Sequence, residues 1–505
     1  MTRQDTFGEA TLDRIARQAS QAMRHANDYH TWRDAALMLE RRLGLDDWKQ
    51  VETSAHYDWR LIRSRVRQIR QFRQDGAAAK LLHHLRQGLH WNLGNIGNAA
   101  IYEAPLVGTK ALIHEYVDEV CAALQDLADC DEDQLGHSQK LKFFREVGLA
   151  YGRSALMLSG GATLGLFHVG VVKALYREDV LPQVLSGSSA GSVVASTVGT
   201  RSPDNLESLL DPENAYYKFW RILSMRQMLR RRSIMDQSQL RRAISKNVPD
   251  LTFEQAYRMS GRIINITVSA AGQNQPPRLL NHLTFPYLYL REAVLASCAV
   301  PVVFPPVMLM SENEQRERVP YMPLLRWSDG SLQSDLPMLR LRRLYNVNHF
   351  VVSQTNPHVL PFFARREPGS RGLAHGARNY AYGTVRSQAS GLIKLARSAM
   401  PGGGVGSKLD FATGILDQDY RGNVNIYPEV SLWRYSNVTA NARMADVKRF
   451  MLEGERAAWP RIEVIRIQTA IARKLESCRH ELEASLPGRT VYESPIKKPT
   501  LKVVR

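Results

Sequence analysis

The amino-acid sequence predicts an α/β core flanked on both sides by helical regions, and three observations along the chain lead to that expectation. Residues 1–150 are rich in helix formers and show almost no strand-like alternation. From about residue 153, apolar runs of strand length alternate with helical stretches, which is typical of a mostly parallel sheet. A long helical pattern returns over residues 441–486. We therefore expect a helical region at 1–150, an α/β domain at 151–360, and a loop-rich, then helical region at 361–505.

The elements of the central domain follow from short apolar runs. A helix over residues 165–179 is expected between the first two strands. The four predicted strands are SALMLS (154–159), QVLSG (183–187), RIINITVSA (262–270) and HFVVSQT (349–355).

A basic helix is predicted in the first region, over residues 57–74. Its apolar residues Ile62, Val66, Ile69 and Phe72 recur at spacings of four, three and three, which places them in one narrow stripe. We expect this stripe to pack on the protein and the arginines beside it to face solvent rather than a membrane.

Composition narrows the possible partners. The 505 residues carry a formal net charge of +18, which favours an anionic partner such as nucleic acid or a lipid head-group surface. The four cysteines have neither zinc-site spacing nor the density of a secreted disulfide framework, so we expect a reducing compartment, no metal and no cofactor. We find neither a signal peptide nor an apolar run near the roughly 18 residues of a membrane span. These features predict a cytoplasmic protein that can bind peripherally to a membrane or lipid body.

The stretch VLSGSSAGSVVAS (184–196) contains the pattern G-x-S-x-G at Gly187, Ser189 and Gly191. In this pattern a nucleophilic serine occupies a sharp turn between a strand and a helix, and small neighbours leave space for an acyl group. An apolar strand precedes the serine and a helix can follow it, so the context fits. Ser189 is therefore the candidate nucleophile.

A second strand, glycine-rich turn and helix are predicted over LMLSGGATLGLFHVGVVKAL (156–175). Free backbone N–H groups at such a turn suit a phosphate or an oxyanion equally well. Gly160 and Gly165 have the spacing of a P-loop, but Leu166 stands where that motif needs lysine, and Ser159 breaks the dinucleotide-binding pattern. An oxyanion hole is the best functional interpretation, with a structural turn as the alternative.

A serine nucleophile also needs a base. Asp329 in WSDGSLQSDLPM (327–338) is a candidate, although an Asp-Gly pair alone usually marks only a turn. His349 or His358 could follow this aspartate in a Ser, Asp, His triad, so the residue types leave a triad open. His168 lies in an apolar helical stretch and is expected to be a packing residue.

Taken in order, GGATLG, GSSAG and DGS resemble the patatin-like acyl hydrolases. LGNIGNAAIYEAPLVGTKALIHEYVDEV (93–120), LREAVLASCAVPVVFPPV (290–307) and NHFVVSQTNPHV (348–359) narrow the resemblance to the triacylglycerol lipase subgroup with an N-terminal helical module. The resemblance covers roughly residues 30–440 and implies a three-layer α/β/α core with a mostly parallel sheet.

The resemblance also implies a mechanism, namely a Ser-Asp dyad and an acyl-enzyme intermediate. Ser189 is then the nucleophile and Asp329 the base that accepts its proton. The N–H groups of Gly160, Gly161 and Ala162 form the oxyanion hole, while Gly165, Gly187, Gly191 and Gly330 support the motifs. Where relatives often have a third glycine and a cation, this chain has Ala162 and Leu164, which favours neutral glycerides over phospholipids.

The segment from Asn214 to Lys246 carries nine Lys or Arg and one Asp. Aromatic and aliphatic residues gather at its start, a composition that suits an anionic membrane or lipid-droplet surface and equally a solvated helix. They are Tyr216, Tyr217, Phe219, Trp220, Ile222 and Leu223.

We therefore predict a lipase that acts on an acyl lipid at such a surface. A phospholipase or lysophospholipid transacylase, and a non-catalytic lipid-surface binding protein, are the alternatives. Nucleic-acid binding is not expected, because zinc-finger spacing and RNA-binding aromatic signatures are missing from the sequence.

Overall fold

A seven-stranded mixed sheet lies at the centre of the structure, a computed structural model that describes residues 3–485 except 232, 272–274, 302, 332–334, 358, 360–419 and 430–437. The sheet has the order β4-β3-β2-β1-β8-β9, and β7 pairs with β3. A separate hairpin is formed by β5 and β6. The strands are β1 (Arg153–Leu158), β2 (Val184–Gly187), β3 (Ile263–Ala270), β4 (Arg278–Leu280), β5 (Met310–Glu312), β6 (Arg318–Pro320), β7 (Trp327–Asp329), β8 (Val347–Ser353) and β9 (Val424–Ile426).

Five neighbouring strands, from β3 to β9, are parallel, whereas β4 and β7 pair antiparallel with β3. The four strands predicted from the sequence are β1, β2, β3 and β8. The carboxyl ends of the parallel strands lie along one edge of the sheet, where open α/β sheets bind their ligands. The chain leaves β1 towards β2 on one side and reaches β8 on the other, so this edge includes a topological switch point.

Helices surround the sheet. In the described part of the chain they are α1 (Arg3–His25), α2 (Tyr29–Arg42), α3 (Leu45–Gln50), α4 (Trp59–Gln74), α5 (Ala78–Gly88), α6 (Ala100–Glu103), α7 (Ala111–Asp129), α8 (His137–Tyr151), α9 (Leu166–Arg177), α10 (Ala190–Gly199), α11 (Pro203–Leu209), α12 (Met225–Arg231), α13 (Gln237–Asn247), α14 (Phe253–Ser260), α15 (Leu290–Ser297), α16 (Met338–Tyr345) and α17 (Met444–Ala484). The helical region predicted before residue 150 corresponds to α1–α8, and the late helical pattern corresponds to α17.

The sheet is covered on both faces, because successive residues of a strand point to opposite sides. Leu156 and Leu158 of β1 belong to the core that includes α9 and α17. Ala155 and Met157 belong to a second core that includes residues of α16. The expected three-layer α/β/α core with a mostly parallel sheet is therefore confirmed.

Helix α17 crosses α9 closely because glycines stand at the crossing. A Cβ at Gly170 would lie 1.8 Å from the Met451 carbonyl oxygen, and one at Gly454 would lie 2.1 Å from the Phe167 carbonyl oxygen. The long helix therefore holds α9, whose start carries the glycine-rich turn. The predicted boundary at residue 360 stays a prediction, although β9 lies beyond it and extends the sheet.

The basic helix α4 packs as expected, with Ile62, Val66 and Ile69 buried. Its basic face is partly neutralised, since Arg63, Arg70 and Arg73 form ion pairs with acidic side chains. The partners are Glu52, Glu115, Glu119 and Asp126. This helix is thus joined to the protein on its charged side as well as on its apolar side.

Candidate active site

Ser189 stands on a tight turn at the carboxyl edge of the sheet. It follows β2 and occupies the N-cap position of α10. Its φ of 49° and ψ of −120° form a backbone conformation that residues other than glycine rarely adopt. The turn requires small neighbours: a Cβ at Gly191 would lie 2.1 Å from the Leu158 carbonyl oxygen, and one at Gly187 would lie 2.3 Å from the Gly191 carbonyl oxygen. The G-x-S-x-G pattern is therefore a steric requirement of this turn.

Asp329 ends β7 and is 2% exposed. Its backbone N–H donates to the Ala299 carbonyl at 2.9 Å, and its Oδ1 accepts the Ser331 N–H at 2.8 Å. The side chains of Ser331 and Ser189 also interact with its carboxylate and lower its pKa. The structure thus brings Ser189 and Asp329 together across 140 residues of sequence, and no histidine among the described residues lies between them.

Burial dominates the ionisation of this aspartate. It raises the pKa of Asp329 to about 7, although the interactions with Ser331 and Ser189 lower it. A carboxylate with such a pKa can accept a proton near neutral pH and return it. Close packing against β3 keeps it in place, since a Cβ at Gly330 would lie 2.6 Å from the Thr267 carbonyl carbon.

The glycine-rich turn after β1 lies beside both groups. A Cβ at Gly160 would lie 3.3 Å from Ser331 Cβ and 3.6 Å from Ser189 Cβ. Ala162 has φ 51°, so this position needs a left-handed backbone conformation, which glycine adopts more readily. Gly165 lets this turn approach the serine elbow, because a Cβ there would lie 2.6 Å from Ala190 Cβ.

The N–H groups of the turn differ in availability, which corrects one expectation. Gly160 donates its N–H to Asp335 Oδ1 at 2.9 Å, so this group is already bonded. The N–H groups of Gly161 and Ala162 donate to no residue that the structure describes. The geometry therefore supports Gly161 and Ala162 as oxyanion donors and removes Gly160 from the predicted set.

Asp335 is the residue that sequence reasoning missed. It is 1% exposed, and burial raises its pKa to about 6. Its carboxylate accepts from Gly160 and, at 3.0 Å, from Asn356 Nδ2, while its backbone carbonyl accepts the Ser188 hydroxyl at 2.8 Å. It thus links the glycine-rich turn to the residue before Ser189. Nothing in the letters SDLP distinguishes it from a surface turn.

Of the two candidate histidines of a triad, His349 is not placed as a base. His349 lies near the start of β8, four residues from the carboxyl edge, and its ring bonds Ser154 Oγ at 3.1 Å and Gln468 Oε1 at 2.8 Å. His358 lies outside the described residues. His168 is a buried packing histidine, as expected, with Nδ1 2.7 Å from Ser353 Oγ and Nε2 3.0 Å from the Ser159 carbonyl oxygen.

An apolar pocket opens beside Ser189 and encloses about 1070 Å³, including its open part. It follows α10 from Ala190 to Val198, and Ala162 and Gly165 of the glycine-rich turn line its wall. Eight residues of helix separate Ser189 from Thr197 in the lining, a rise of about 12 Å. An acyl chain attached at Ser189 would find an apolar channel along this helix.

The aromatic cluster lies elsewhere than the sequence suggested. Tyr216, Tyr217, Phe219 and Trp220 line this pocket rather than extend towards a lipid surface. Leu223 is buried, whereas Ile222 is 69% exposed. The whole cluster therefore does not form one outer surface, because its aromatic part forms the pocket wall.

Comparison with known families agrees with this architecture. The model of the patatin-like phospholipase family matches residues 156–342, which include the glycine-rich turn, Ser189 and Asp329. The model of a domain of unknown function, DUF3336, matches residues 10–148.

Three relatives cover most of this chain. Triacylglycerol lipase SDP1L of Arabidopsis thaliana is 33% identical over 90% of this chain and 57% of its own length. Triacylglycerol lipase 4 of Saccharomyces cerevisiae is 31% identical over 94% of this chain and 54% of its own length. Triacylglycerol lipase ptl3 of Schizosaccharomyces pombe is 31% identical over 89% of this chain and 94% of its own length. The chain thus spans little more than half of two of these relatives and nearly all of the third.

A covered, mostly parallel sheet with a serine elbow beside a glycine-rich turn defines the patatin class of α/β proteins. This chain belongs to the patatin-like phospholipase family, in the group that carries the additional N-terminal DUF3336 domain.

Proposed function

We propose that this chain hydrolyses ester bonds of acylglycerols at a lipid surface, through Ser189 and Asp329 and an acyl-enzyme intermediate. The observation that carries the proposal is that Ser189 lies beside a buried carboxylate, whose pKa its side chain lowers, at the side of an apolar pocket. The printed names of the three relatives, all triacylglycerol lipases, support the substrate class.

Each chemical step uses a group already in place. Ser189 Oγ attacks the ester carbonyl carbon while its proton passes to Asp329. The N–H groups of Gly161 and Ala162 stabilise the oxyanion. When the intermediate collapses, Asp329 gives its proton to the leaving glycerol oxygen and the acyl group remains on Ser189. Water then attacks the acyl carbon, giving its proton to Asp329, which returns it to Ser189 Oγ as the fatty acid leaves.

The substrate preference follows from what lines the site. Leu164, at the position where the sequence resemblance implies a cation, is buried against Phe450. The pocket itself is lined by apolar and uncharged side chains. Neutral acylglycerols therefore suit the site better than phospholipids.

A substrate panel with matched variants tests the proposal. Tri-, di- and monoacylglycerol and phosphatidylcholine are offered to wild type, Ser189→Ala, Asp329→Asn and the control Ser196→Ala. Ser196 lies on the same helix, and its hydroxyl bonds to no described residue. We expect wild type and the control to release fatty acid from acylglycerols and both site variants to lose at least about 100-fold. Release by Ser189→Ala at the wild-type rate would refute the proposed nucleophile.

A further inference from the structure

A short excursion of the chain next to the pocket has the composition of a lipid-binding surface. Residues 221–236 contain five arginines and a single acidic residue, Asp236. The excursion is closed at its base by a β-bridge between Ile222 and Met235 and by the hydrogen bond from Asp236 N–H to the Arg221 carbonyl at 2.9 Å. Helix α12 (Met225–Arg231) lies at its far end.

Its apolar side chains are exposed to an unusual degree. Met225 is 73% exposed and Leu229 is 78% exposed. They are four residues apart on α12 and therefore share one face of the helix. Ile222 and Ile234, near the base of the excursion, are also exposed. Large apolar side chains gathered on one surface mark an interaction site.

The charges beside this face are cationic and in part unpaired. Arg221 and Arg231 form ion pairs with Asp236, whose side chain is buried. Arg226 and Arg230 are exposed and form no ion pair with any residue the structure describes. They are also four residues apart, so one helix presents an apolar pair and a cationic pair side by side. On α4, by contrast, several arginines are paired with acidic side chains, so the positive electrostatic potential at that helix is weaker.

The excursion is fixed to the catalytic region at its base. Trp220, the residue before it, donates from Nε1 to Thr163 Oγ1 at 2.9 Å and stacks on Phe304. Thr163 follows the oxyanion residue Ala162, and Phe304 lines the pocket. On the other side, Met235 N–H donates to the Val303 carbonyl at 3.1 Å. A surface bound to α12 would therefore lie beside the pocket.

We propose that the excursion 221–236 binds an anionic phospholipid surface, with Met225 and Leu229 inserted at head-group depth and Arg226 and Arg230 against the lipid phosphates. This inference rests on the proposed function, because the purpose of such a surface would be to bring the pocket to the lipid substrate. Charge complementarity selects the occupant: an apolar face flanked by unpaired cations fits anionic lipid, whereas a purely neutral oil surface would need only the apolar face.

Vesicle flotation tests the binding directly, with the full chain and with vesicles of phosphatidylcholine alone or mixed with phosphatidylserine. We expect wild type to float with the anionic vesicles and to dissociate at high salt. Arg226→Gln with Arg230→Gln should weaken binding about 25-fold, from roughly fivefold for each cation at an anionic surface. Met225→Ser with Leu229→Ser should also weaken it.

The matched controls are Arg60→Gln with Arg67→Gln, which removes two exposed arginines of α4, and Leu149→Ser, which removes a leucine that is 69% exposed on α8. Both controls should bind as wild type does. Equal binding by the α12 variants and wild type would overturn the inference, and so would a wild type that binds no vesicle. Binding to a nucleic-acid duplex through the same arginines, without vesicle binding, would overturn it as well.

Hydrolysis of a soluble short-chain ester separates this inference from the proposed function. If wild type floats but cleaves no ester, the proposed function fails while the docking surface stands. If wild type and the α12 variants cleave the soluble ester at the same rate and also bind the vesicles equally well, the inference about the docking surface fails while the proposed catalytic site stands.

Discussion

Replacing Asp329 by asparagine should remove activity and yet make the protein more stable at alkaline pH. The carboxylate is buried, and burial raises its pKa from 3.8 to about 7. Asparagine keeps an oxygen that can accept the Ser331 N–H but carries no charge. The variant therefore removes the energetic penalty of burying an ionised group together with the base.

The size of the effect follows from proton linkage. Because the folded protein holds this proton more tightly than the unfolded chain, the stability from Asp329 is fully present below about pH 3.8 and is lost as pH rises to about 7. Between about pH 5 and pH 8 the free energy of unfolding of the wild type should fall by about 3 kcal/mol, because roughly two pH units of this interval lie below the raised pKa. For a domain of 150 to 250 residues, that is a shift of roughly 6 to 12 °C in melting temperature.

Thermal unfolding of Asp329→Asn and wild type, measured side by side at both pH values, checks this. We expect the difference in Tm, variant minus wild type, to increase with pH by several degrees. Ser189→Ala is the matched control, because it is equally inactive but keeps the carboxylate, and it should follow the wild-type pH dependence. A difference in Tm between variant and wild type that does not change with pH would refute the claim that burial destabilises the ionised carboxylate of Asp329.

Three further predictions concern the pocket, the missed aspartate and the candidate His349. Thr197→Phe should fill the pocket about 12 Å along α10 and shift the preference towards shorter acyl chains, measured as kcat/KM over an ester series. Asp335→Ala should lower kcat up to about 100-fold by freeing the glycine-rich turn, with KM little changed, while Asp335→Asn should restore most of it. His349→Gln should cost about 1–3 kcal/mol of stability through its lost buried hydrogen bonds, as chemical unfolding would report, and should keep full esterase activity when folded. Loss of activity in a folded His349→Gln protein would instead support a Ser-Asp-His triad.

Much of the fold could be predicted because the decisive patterns are local. The strands β1, β2, β3 and β8 are apolar runs between turns, and their carboxyl ends explain why Ser189 and the glycine-rich turn meet. Three-residue strands such as β4 and β7 are too short for a period to be recognised. Their antiparallel pairing with β3 had no local signal.

Candidate site residues could be predicted where a motif carries steric information and could not be where a contact is long-range. Ser189 and Asp329 lie in recognisable patterns, but Asp335 acts on Gly160, which is 175 residues away. The same limit explains the error at Gly160, since whether an N–H is free depends on which side chain folds against it. Phe219 and Trp220 resembled lipid-facing aromatics because sequence does not show which surface the fold encloses.

The pH dependence of fluorophosphonate labelling at Ser189 tests the central claim, a serine activated directly by a buried aspartate. We predict that the wild-type labelling rate rises about tenfold per pH unit up to about pH 7 and then levels off, following the raised pKa of Asp329. Asp329→Asn should label at least about 100-fold more slowly and show no such rise. Label on a residue other than Ser189, or an Asp329→Asn protein that reacts at the wild-type rate, would contradict the account.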